Sequence, residues 1–118
     1  HMAYEMPNID GLMRGAGRVR NSGYDIMWGV GRHGPGNNVF SYFVEPNGFV
    51  TEYTTEVDQV DDSYVSHDAK WWQEQKLFPD RWNMAGAPSE LARKAMGGEL
   101  VEEENLRCEQ VMARALGR

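Results

Sequence analysis

The spacing of apolar and polar positions changes several times along the chain, and each change marks a new element. His1 to Met6 alternates apolar with polar residues, the period-two pattern of a strand, and Pro7 ends it. Ile9, Leu12, Met13, Ala16 and Val19 then recur at helical spacing, with Asn8 placed to cap their helix and Gly23 to close it in the left-handed conformation. Gly15 and Gly17 lower the intrinsic stability of that helix, so packing must hold it. Three segments rich in β-branched and aromatic residues follow, Asp25 to Gly31, Val39 to Glu45 and Phe49 to Val57, separated by Gly, Pro and Asn. The predicted order is β-α-β-β-β.

The last turn predicts a register. Pro46-Asn47-Gly48 suits a three-residue hairpin loop, with Pro opening a type I turn and Gly in the left-handed position. That loop pairs Glu45 with Phe49, and counting outward sets Tyr42 across from Glu52. Both side chains should then leave one face of the sheet within roughly 5 Å at Cβ. A two-residue loop would send them to opposite faces.

Near Asp61 and Asp62 the pattern changes again, dividing the chain into a βαβββ module (residues 1–60) and a tail (residues 61–118). His67-Asp-Ala-Lys-Trp-Trp72 and Phe78-Pro-Asp-Arg-Trp82 predict an ordered, irregular stretch pinned by aromatic burial. Two helices are expected to end the chain. Pro88 to Met96 has Pro at its start and Gly97-Gly98 at its end, and Val101 to Leu116 has Glu at its N-terminal end and Arg near its C-terminal end. Glu102-Glu103-Glu104 is accounted for by the dipole of that last helix. The fold class is therefore α+β.

Composition narrows the function. With 41% hydrophobic and 25% charged residues the chain is an ordinary globular one. Twelve basic against eighteen acidic residues, with no Lys/Arg cluster, argue against nucleic acid as a partner. The single Cys108 excludes an intrachain disulfide and a Cys-rich zinc site, which makes a reducing cytoplasm the expected location. No apolar run approaches the roughly 18 residues that a membrane span needs, and no signal-peptide pattern opens the chain.

One segment carries candidate chemistry. Gly31-Arg-His33-Gly-Pro-Gly-Asn-Asn-Val-Phe-Ser-Tyr42-Phe-Val-Glu45-Pro46-Asn-Gly48-Phe-Val-Thr-Glu52 resembles the signature of the type I extradiol dioxygenases, which are vicinal-oxygen-chelate (glyoxalase/bleomycin resistance) proteins. Only Ser41, where that signature has an aliphatic residue or Phe, departs from it. The resemblance extends more weakly over His1 to Val57 and does not include the tail. It identifies the module as the C-terminal, metal-binding one of a non-haem dioxygenase that opens a catechol-type ring with O2. It also implies Fe(II), or in some members Mn(II), held by two His and one Glu on one face. Such a facial set leaves positions open for a chelating diol and for dioxygen.

By position, Glu52 matches the carboxylate ligand, although a Glu in an Asn-Gly hairpin strand would ordinarily be solvated. His33 and Tyr42 match the catalytic His and Tyr that hydrogen-bond to the diol and to the oxygen intermediate. Imidazole and phenol can each donate to, and accept from, an oxygen whose charge changes. In isolation these would be a loop histidine and a core-edge aromatic. His67 matches nothing and is expected at the surface. His1 has two readings: His-Met is a pattern left by cleaved expression tags, and it also stands about where the resemblance places a metal-ligating His.

The resemblance leaves the set incomplete. The other His ligand and the base near the ring lie upstream in such enzymes, so an N-terminal module or a second subunit is expected to complete the site, and the isolated chain is expected to be inactive. Pro35 and Gly36 stand where biphenyl-type enzymes have polar residues, and Trp28, Phe40 and Phe43 can be pocket wall or core. Trp71, Trp72 and Trp82 suggest a lid over the substrate mouth. Two further readings remain: a glyoxalase- or epimerase-like enzyme of the same superfold using a divalent metal and proton transfer, or a non-catalytic ligand-binding module.

Overall fold

The computed structural model describes residues 1–99, so the expected helix from Val101 to Leu116, with Cys108 and the Glu102–Glu104 run, lies outside the described residues. The module has strands β1 (Met2–Glu5), β2 (Trp28–Arg32), β3 (Val39–Val44) and β4 (Val50–Thr55), with helix α1 (Ile9–Asn21) between the first two. Two short helices follow, α2 (Ala69–Glu74) and α3 (Glu90–Met96). The sheet order is β1-β4-β3-β2, with β1 parallel to β4 and the other pairs antiparallel. The expected α+β order is therefore found.

Local chemistry sets the boundaries. The Asn8 side chain accepts the Gly11 N–H at 2.7 Å, and Gly23 follows α1 with φ of 95°. Gly15 is explained by close packing, since a Cβ there would stand 2.9 Å from the Tyr53 ring. Leu12 and Ala16 are buried on the same helix. The Pro46-Asn47-Gly48 loop closes as expected, with the Glu45 N–H donating to Phe49 O at 3.0 Å and Gly48 at φ of 88°. Tyr42 is paired with Glu52.

Some boundaries differ from the sequence expectation. β4 stops at Thr55 rather than Val57, because Glu56 turns to φ of 59° and its side chain pairs with Arg32. β2 begins at Trp28 rather than Asp25 and contains a register shift in which Gly29 pairs with Ser41 but Gly31 with Phe40. Within the tail, Ala69–Glu74 is helical rather than irregular, capped by Asp68, whose carboxylate accepts the Trp71 N–H at 2.8 Å. Pro88 stands just outside α3, whose cap is Ser89.

The two faces of the sheet have different covers. α1 lies against β3 and β4, where Phe43 meets Tyr53 edge to face. On the opposite face Phe40, Tyr42, Val44 and Val50 form one buried cluster with Ala95 of α3, and Trp28, Ala85 and Met96 pack against it. The tail thus covers the face from which Tyr42 and Glu52 project. Among the described residues no helix is long and apolar enough to cross a membrane.

Candidate functional site

Four side chains meet on that face. Glu52 is only 5% exposed, and a Glu is almost never buried without a partner. Its Oε1 lies 3.4 Å from His1 Nε2 and its Oε2 3.5 Å from His33 Nε2. Oε2 is nonetheless buried with no hydrogen-bond partner. The fold brings these groups together because β1 lies beside β4 with Ala3 opposite Glu52, which places His1, two residues earlier, on the Glu52 side of the sheet. The His1 ring meets Tyr42 edge to face.

His33 is held from both ends. Its Nδ1 lies 3.1 Å from Pro79 O, and its Nε2 lies 3.0 Å from the Tyr42 hydroxyl. A carbonyl can only accept, so Nδ1 carries the proton, and in the neutral ring Nε2 accepts from Tyr42. Phe40 stacks under the imidazole at 4.0 Å. Tyr42 is pushed far above the ordinary tyrosine range, first by burial and then by the negative charge of Glu52. It therefore remains a neutral phenol, able to donate.

The sequence did not reveal the group that secures Pro79. Asp80 is 1% exposed, and its carboxylate accepts backbone N–H groups from Arg32, Trp82, Met84, Ala85 and Gly86 at 2.6–3.1 Å. Burial alone would raise its pKa; these donors outweigh it and hold the carboxyl below the usual aspartate range. Asp80 thereby knots residues 80–86 onto β2. The Arg81 N–H donates to Arg32 O, the Gly34 N–H to Phe78 O and the Trp28 indole to Gly86 O. The available signal was Pro-Asp inside an aromatic stretch, which marks a turn but not its partners.

Beside His33 lies a cavity of about 630 Å³ walled by Trp28, Pro35, Phe78, Pro79 and Met96. Trp28 is thus pocket wall, whereas Phe40 and Phe43 are core. The tail supplies Phe78, Pro79, Ala87, Pro88, Arg93 and Met96 to its wall, whereas the tryptophans expected to form a lid do not line it. Trp71 stacks on the exposed His67, Trp72 packs over Gly34, and Trp82 lies under the Arg32 guanidinium.

No family model matches the chain. Metapyrocatechase 2 of Cupriavidus necator is 33% identical over 60 residues, which cover 51% of this chain and 19% of that protein. The crystal structure of the Mn(II)-bound glyoxalase from Novosphingobium aromaticivorans matches 92% of this chain with a TM-score of 0.63 and 36% identity. In sequence and in fold the chain is thus similar to vicinal-oxygen-chelate proteins of the extradiol-dioxygenase and glyoxalase kind. A match over 92% must take in much of the tail, so the module's likeness to known structures does not stop at Val57. The chain spans 19% of the curated relative and 34% of the solved neighbour.

As a cation site the donors fit in type and are incomplete in number. A buried carboxylate with one unpartnered oxygen and an imidazole nitrogen near each of its oxygens is the mixed oxygen and nitrogen environment that a divalent transition metal takes. Among the described residues no group of three His, Cys, Asp or Glu side chains is arranged to hold a metal ion.

Proposed function

We propose that the module is the metal-binding part of a non-haem extradiol dioxygenase acting on a catechol-type ring. The observation that carries this reading is the buried Glu52 carboxylate, one oxygen beside His1 and the other, unpartnered, beside His33, on the same face as Tyr42. Glu52 and His1 would hold Fe(II) or Mn(II), with the third protein ligand supplied by another module or subunit. When bound, the metal would chelate the diol and bring dioxygen to it.

The chain's own residues then have separate tasks. Tyr42, kept protonated, donates to a diol oxygen. His33, with its proton on Nδ1, offers the Nε2 lone pair to a substrate hydroxyl and takes its proton. Trp28 and Phe78 flank the ring, and the tail keeps water from the reacting face.

Metal binding tests the reading directly. Mn(II) added to the chain should broaden the NMR resonances of His33 and Trp28, and Glu52→Ala should abolish the effect. Unchanged broadening in that variant, or none in the wild type, refutes the assignment of Glu52. With the complementary module added, catechol should be consumed with O2 to give a coloured product.

A second reading is favoured by one observation, the 36% identity to an Mn(II)-bound glyoxalase over most of the chain. In that case Glu52 and His33 would move a proton on a metal-held substrate without dioxygen. Equal turnover under anaerobic conditions would select it.

A further inference from the structure

We propose that the cavity beside His33 selects an aromatic ring bearing a carboxylate, and that Arg93 recognises the carboxylate. The cavity, about 630 Å³, lies within the roughly 300–1,000 Å³ typical of small-molecule sites and leaves room for a ring with a side arm. Its walls are apolar apart from two side chains, His33 and Arg93. Arg93 is thus the only permanently charged group on the described wall.

Neighbouring basic residues already have partners. Arg32 is paired with Glu56 and lies over Trp82, Arg81 donates to Asn37 Oδ1 at 2.9 Å, and Lys94 is 3.4 Å from Glu90. Among the described residues no carboxylate pairs with the Arg93 guanidinium, and its main chain is fixed in α3 by the Arg93 N–H bond to Ser89 O. A cation on an apolar wall, with no counter-charge among the described residues, attracts an anion, and the planar guanidinium fork matches a carboxylate through two parallel hydrogen bonds. His33 directly follows the end of β2 and Arg93 lies on α3, so a ligand that meets both must be polar at two separate places. A diol at one end and a carboxylate at the other satisfy that requirement.

The inference deepens the proposed function and rests on it for the diol end; recognition of the anion does not depend on ring cleavage. The test is therefore binding alone. The chain is titrated with 3-(3,4-dihydroxyphenyl)propionate and with 4-propylcatechol, a neutral analogue of similar shape, following the Trp28 indole N–H by NMR. The acid should bind about tenfold more tightly, in keeping with a charge-assisted hydrogen bond. Arg93→Met should bring the two affinities together, and Arg93→Lys should keep part of the preference. Arg93 is exposed, so both variants are expected to fold, which their unchanged sheet resonances will check. Equal affinities in the wild type, an unchanged ratio in Arg93→Met, or binding of neither probe at millimolar concentration overturns the proposal. The failure of Glu52→Ala to alter metal binding would instead count against the dioxygenase reading and leave the carboxylate preference standing.

Discussion

Asp80 shows how one side chain can organise a loop that packing alone would leave loose. Its folded pKa is depressed, so its contribution to stability is complete above the unfolded aspartate value of about 3.9 and disappears as pH falls through the lower folded value. Asp80→Asn should lose about 2–3 kcal/mol at pH 7, because the amide replaces an acceptor with a donor among five N–H groups. The gap in melting temperature between variant and wild type should narrow below pH ~4. A gap constant from pH 7 to 3 would rule out this account. Ser41 presents the opposite case: its buried hydroxyl has no partner, so Ser41→Ala should stabilise the chain by about 1 kcal/mol in chemical denaturation. Glu52, His33 and Tyr42 were legible as a spacing. Asp80 was not, because Arg32 lies far away in sequence and a run of neighbouring amides leaves no side-chain pattern.

Among the elements, those with a strong local cause were readable. Asn8 and Gly23 bounded α1, and the Pro46-Asn47-Gly48 loop set the Tyr42–Glu52 register. The end of β4 was not readable, since a positive φ at Glu56 has no sequence signature. α2 was missed because six residues are too few for a 3.6 period to show. The joint between β2 and the tail is tight at Gly34, where a Cβ would stand 2.6 Å from the Trp72 ring and 2.9 Å from Phe78 O. Gly34→Ala should therefore cost about 1–3 kcal/mol and release the tail first, seen as faster proteolysis between residues 72 and 88 while amide exchange in β3 and β4 stays slow. Simultaneous loss of protection in both would show that the joint is not a separate unit.

For the whole molecule, the division at Asp61 reads differently once contacts are known. The tail supplies Pro79 O to His33, Gly86 O to Trp28 and Ala95 to the buried cluster. Removing residues 62–118 should leave His33 without its acceptor and, on the proposed function, lower ring-cleavage activity of the completed site roughly 10²-fold, the scale of a displaced catalytic group. Unaltered activity would show that the tail is dispensable. The tail also bonds to the end of β2 at Arg32, while β1, with Met2 and Tyr4 exposed, has no strand on its outer side among the described residues. Among the described residues that open margin is the place where a strand from another module or another copy can extend the sheet.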